Sequence, residues 1–166
     1  MAKQTSIIFG IGALIIVLGG VLMYAEPDEH PNADPSAEIE NVLTADRPLH
    51  DFGTISMKDG KVKTTFKIKN DKAEVIQMQK LYTSCMCTEA SLKINGGNLG
   101  PFGMPGHGAF PTFKEMLEPN QEVQIEVEFD PNAHGPSGVG VIERMAILEG
   151  PKGQLVSVGI RANVTP

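Results

Sequence analysis

The clearest pattern in the chain is a period of two between Glu122 and Asp130. Val123, Ile125, Val127 and Phe129 alternate there with Gln124, Glu126 and Glu128. Successive side chains of a strand point to opposite faces, so this segment predicts a strand with one face in a core and one in water. Val62, Thr64, Phe66 and Ile68 alternate with lysines and Thr65 in the same way. Further strands are expected over Glu74–Thr83, Val139–Leu148 and Leu155–Val164. Turn signals separate them: Asp59-Gly60, Asn70-Asp71, Pro119-Asn120 and Gly150-Pro151-Lys152-Gly153. Beyond residue 46 no apolar period of helical length is found, and Lys114–Leu117 has room for one helical turn at most. The pattern predicts an all-β domain, a two-sheet antiparallel β-sandwich of about seven strands. Residues 95–113 break the rhythm and read as an inserted Gly/Pro-rich loop, a length that inside a compact domain points to function.

The first residues follow a different pattern. Ser6 to Tyr24 is uncharged throughout, with Lys3 before it and Glu26, Asp28 and Glu29 after it. About 20 apolar residues cross a bilayer as a helix, so residues 1–25 are expected to form an N-terminal transmembrane anchor. A cleaved signal peptide is the alternative. The charge distribution places the C-terminal part outside the cytoplasm. Residues 26–46, rich in Pro, Glu, Asp and Asn, are expected to be a disordered acidic tether, and residues 47–166 the sandwich. The expected location is the cell membrane, single-pass, with an extracytoplasmic domain.

Charge and motifs narrow the function. The net charge of -6 argues against nucleic acid, whose phosphates require clustered Lys and Arg. No Ser-His-Asp series, HExxH motif or phosphate-cradling Gly loop followed by Lys is found. Neither a nucleotide partner nor an enzymatic role is therefore expected. His50-Asp51 reads as the opening of the first strand, with Asp51 bonding the local backbone.

The remaining chemistry lies in three segments. Cys85 and Cys87, the two cysteines of the chain, flank Met86. Met104 and His107 lie in one Gly/Pro-rich segment and His134 in another. Thiolates, imidazole and thioether are donors for soft and borderline metals. Cys85, Cys87, His134, His107 and Met104 are therefore candidate metal ligands, for copper in preference to zinc. An extended backbone would set the two thiolates side by side for a metal, whereas a bend would bring them into disulfide range. Three alternatives stay open: a metal site, a structural disulfide on a scaffold that recruits an envelope protein, and thiol redox activity. The last requires a low-pKa thiol, and only Lys80 and Lys93 are cationic nearby in sequence.

Four landmarks occur in order: His50-Asp51-Phe52-Gly53-Thr54-Ile55, Phe66-Lys67-Ile68-Lys69-Asn70, Ser84-Cys85-Met86-Cys87-Thr88, and Glu118-Pro119-Asn120-Gln121 leading to Phe129-Asp130. The series resembles the bacterial exported domain-of-unknown-function family fifteen-seventy-three, itself similar to the Ig-like domains of major sperm protein and Hydin. The resemblance covers about Pro48 to Val164. It implies that the antiparallel β-sandwich of about seven strands is Ig-like and exported, and it assigns no activity. Met86 stands where the family usually has glycine, and the segment around Met104 and His107 is an insertion relative to the family pattern.

Overall fold

The computed structural model describes residues 41–107 and 111–166. They fall in one compact unit, Ile39–Pro166. The expected anchor and residues 26–40 of the expected tether lie outside the described residues, whereas residues 41–46 are part of the domain, with Leu43 buried and Thr44–Ala45 paired to Ile68 and Lys69. Among the described residues no helix is long and apolar enough to cross a membrane.

The unit is all-β. Its strands are β1 (Thr44–Ala45), β2 (Leu49–Ser56), β3 (Val62–Lys69), β4 (Ile76–Met78), β5 (Lys80–Thr83), β6 (Thr88–Ile94), β7 (Gly97–Phe102), β8 (Glu115–Leu117), β9 (Glu122–Phe129), β10 (Gly140–Gly150) and β11 (Gly153–Thr165). One sheet has the order β1-β3-β9-β6-β7, a second β2-β11-β10-β5, and β4-β8 form a small third pair. The described strands exceed the expected seven or so because several are only two to four residues long.

The period-two segments became strands for the expected reason. In β9, Val123, Ile125, Val127 and Phe129 are buried while Glu122 and Gln124 are exposed. Its neighbour β3 buries Phe66 and Ile68 and holds Lys63, Lys67 and Lys69 outward. From the other sheet, Leu81, Leu148, Val156, Val158 and Ile160 complete the core. Each such side chain, fully buried, contributes roughly 1.5–3 kcal/mol.

Four expectations need correction. Residues 97–102 are a strand, β7, not a loop; the turn Asn95-Gly96, both with positive φ, folds it back on β6. That dipeptide is the commonest short hairpin signal. Lys114–Leu117 is not a helical turn, because Glu115–Leu117 pairs with β4 as β8. Glu74–Thr83 is not one strand. It breaks at Gln79, so that β4 pairs with β8 while β5 crosses to pair with β10. Finally, the sandwich is not wholly antiparallel. β2 and β11 run parallel, which is open to them because most of the domain, and no short hairpin, connects the two.

The turns between these strands define one end of the sandwich. β5 runs into the cysteine segment and β6 leaves it. β9 runs into the loop carrying His134, which starts a 3-10 turn, Gly135–Gly138, before β10.

Candidate functional site: the Cys85–Cys87 turn

Thr83 anchors the turn from below. It is fully buried, and its hydroxyl lies 3.0 Å from the Cys85 carbonyl and 2.8 Å from the Thr88 carbonyl. The Thr88 N–H donates to the Cys85 carbonyl at 3.1 Å, closing a tight turn around Met86. On one side Ser84 holds β10, its N–H donating to the Met145 carbonyl and its hydroxyl accepting from the Met145 N–H, each at 2.9 Å. On the other side the Asp130 N–H donates to the Cys87 carbonyl at 2.9 Å. The turn is therefore pinned to both sheets.

The backbone bends here. The Cα atoms of Cys85 and Cys87 are 5.3 Å apart, and the two sulfurs are in disulfide contact. That separation lies within the range disulfides adopt. Of the two geometries open to the sequence, the bend is the one realised. The pair is uneven: Cys87 is buried, Cys85 is half-buried, and Met86 between them is exposed.

Two cationic or ionisable side chains meet the sulfurs. His134 Nε2 is 3.3 Å from Cys85 Sγ, with its ring exposed. Its loop is built from local bonds. Asp130 accepts from the Asn132 N–H at 2.8 Å, the Asn132 side chain donates to the Met57 carbonyl at 2.7 Å, and Ser137 donates to the His134 carbonyl at 2.7 Å. Gly138 leaves room for this arrangement, since a Cβ there would lie 3.3 Å from that of His134. The second group is Arg144, whose Nε donates to Cys87 Sγ at 3.3 Å. Its neighbours at i±2, Ile142 and Ala146, are buried, so Arg144 projects from the core-facing side of β10 at the rim of the sandwich.

Of the expected donors, the structure brings Cys85, Cys87 and His134 together. The ligand atoms of Cys85, Cys87 and His134 lie within 4.8 Å of one another. His107 does not join that group. β7 fixes the preceding chain as an edge strand, and His107 closes an exposed turn by donating its N–H to the Met104 carbonyl at 3.2 Å. Met104 is half-buried and follows Gly103, whose carbonyl accepts the Thr83 N–H at 3.2 Å, so its backbone runs beside the strand leading into the cysteines.

Arg144 is the residue that sequence reasoning missed. Its signal lay in strand register. Ala146 pairs with Thr83 in an antiparallel ladder, and continuing that ladder past the turn sets Arg144 beside Cys85.

The stretch from β1 through the β6–β7 turn contains both cysteines and three of the four landmarks. Residues 43–98 match the family described as "Protein of unknown function (DUF1573)". The DUF1573 match stops short of Met104, His107, His134 and Arg144, so the donors and the cation contributed by later strands lie beyond it. No curated protein matches the chain. Among solved structures the chain is similar to a protein of unknown function from Porphyromonas gingivalis W83, at 15% identity and a TM-score of 0.47, covering 74% of this chain and 46% of that one. It is also similar to the secreted serine protease VesC from Vibrio cholerae, at 11% identity and a TM-score of 0.46, covering 75% and 24%. A third likeness is to a PapD-like domain of human CEP192, at 11% identity and a TM-score of 0.41, covering 75% and 86%. The chain spans less than half the length of the first two. None of these likenesses bears on chemistry.

Proposed function

We propose that this is an extracytoplasmic, membrane-held Ig-like binding module whose Cys85–Cys87 turn, when reduced, takes a soft metal ion together with His134, copper(I) in preference to zinc. The observation that carries the reading is the convergence of two sulfurs and one imidazole nitrogen within 4.8 Å. Thiolates favour copper(I), whereas structural zinc takes four protein ligands, one more than this group supplies. Two thiolates around a monovalent ion leave one negative charge in excess, and the guanidinium of Arg144 at 3.3 Å compensates it. The uncharged run Ser6–Tyr24 supports the membrane attachment.

The test is a copper(I) titration of the reduced chain under argon, in competition with a chromogenic chelator. One ion per chain is expected, with binding lost in Cys85→Ser and Cys87→Ser. Arg144→Gln is expected to weaken it by about 10–100-fold, as loss of an outer contact to a ligand does. A reduced, folded chain that leaves all copper with the chelator rejects the metal reading. Recovery of the full-length chain in the soluble extract of its cells rejects the anchor.

A second reading, a scaffold in which the pair only fastens the turn, is favoured by the disulfide contact itself. It expects reduction to lower the melting temperature and to create no copper site.

A further inference from the structure

We propose that the Cys85–Cys87 turn is a thiol–disulfide exchange centre, with Cys85 as the sulfur that partners attack and Cys87 as the leaving sulfur held by Arg144. The substrate class is a pair of thiols on a polypeptide. The inference uses the same sulfurs as the metal reading and does not depend on metal binding.

Two observations carry it. The first is the unequal access to the pair: Cys87 is 3% exposed while Cys85 is half-buried, and 52% of Met86 faces solvent beside it. An incoming sulfur approaching from solvent meets Cys85. Exchange depends on which sulfur is attacked and on how readily the other departs. The second observation is the Arg144 contact. A cation that never loses its proton sits 3.3 Å from the buried sulfur, in a part-buried contact. Negative charge appears on Cys87 when the bond breaks, and it appears against that guanidinium. Burial alone would penalise this thiolate; the Arg144 donor offsets that cost. A fastening disulfide needs no such partner.

The steps balance. A substrate thiolate attacks Cys85 Sγ, the Cys85–Cys87 bond breaks, and Cys87 departs as a thiolate facing Arg144. The mixed disulfide joins the substrate to Cys85. The second substrate thiolate then attacks the substrate sulfur of that bond and releases Cys85 as a thiolate. The substrate has lost two electrons and become a disulfide, the turn has gained two and become a dithiol, and protons are exchanged with water. A small disulfide such as oxidised glutathione restores the starting state.

The test uses the full chain in the presence of metal chelators. A two-cysteine peptide is mixed with the oxidised chain, the reaction is quenched with an alkylating agent, and the adducts are mapped. The mixed disulfide is expected on Cys85 and the alkyl group on Cys87. In the single-thiol variants, Cys87→Ala is expected to take up oxidised glutathione about tenfold faster than Cys85→Ala, as access dictates. Arg144→Gln is expected to slow reduction of the turn about threefold or more, the sensitivity that exchange shows to thiol acidity, with Arg144→Lys restoring most of the rate. Each variant is checked for an unchanged circular dichroism spectrum, and the mapping on the unmutated chain needs no variant. An adduct on Cys87, or equal rates for Arg144→Gln and the parent, overturns the proposal. Exchange lost with copper(I) binding intact rejects this inference alone, and the converse rejects the metal reading alone.

Discussion

Replacing Asn70 with alanine is expected to cost the domain about 3 kcal/mol. Asn70 is fully buried at the end of β3, and its side chain serves three main-chain groups. Its amide donates to the Glu74 carbonyl at 2.8 Å and the Leu117 carbonyl at 3.0 Å, and its oxygen accepts from the Lys72 N–H at 3.0 Å. These bonds tie the end of β3 to the start of β4 and to β8. The main-chain bonds of Asn70 itself, to Gln121 and from Asn120, survive the change. The Leu117 bond is the buried one, and leaving its carbonyl unpaired costs about 1–3 kcal/mol. The other two are half-buried, so water replaces them in part, at about 0.5 kcal/mol each. Urea unfolding should show a lower midpoint at unchanged slope, and the melting temperature should fall by roughly 10 °C. A loss under about 1 kcal/mol would refute the reasoning, because it would mean that the three groups find partners without Asn70.

Two further predictions follow from single contacts. Tyr82 is pushed up to about 12, first by burial and then by the hydrogen bond its hydroxyl donates to Glu149. The folded state therefore keeps a proton that the unfolded chain releases near 10. This contribution to stability is whole at and below that pH and is lost between about 10 and 12. Phenolate absorbance against pH, with Tyr82→Phe as the blank, checks it, and a midpoint near 10 contradicts it. Gly150→Ala would set a Cβ 2.6 Å from the Gln77 carbonyl oxygen, a main-chain atom that cannot swing aside. A cost of about 2 kcal/mol is expected in urea, and a variant within about 0.5 kcal/mol of the parent, the usual range for surface changes, would show that the β10–β4 seam yields.

How much of this was readable from sequence depends on how locally each feature is encoded. β3 and β9 bury one face, so their alternation alone gave their limits. β7 hid because an edge strand with a single partner tolerates the glycines and Pro101 that a central strand would not. Asn95-Gly96 was the clue to it. β6 alternates Ala90, Leu92 and Ile94 inward, but it runs straight out of the cysteine segment with no turn signal to mark it off as a strand. At the site, cysteine and histidine were conspicuous as residue types, and the distance between Cys85 and His134 was not. Arg144 looked like one more polar position in a strand. Its role comes from the β5–β10 register, which no local pattern encodes.

The rims of the two sheets have a consequence for how copies of this domain behave together. β1 offers only two residues, β7 carries Pro101, the β2–β11 ladder slips between Arg161 and Asn163, and β5 is four residues long. Among the described strands, an incoming strand from a neighbouring copy finds no long, straight row of free amides to zip onto. Crowding on a surface should therefore leave these domains as separate beads and not draw them into fibres.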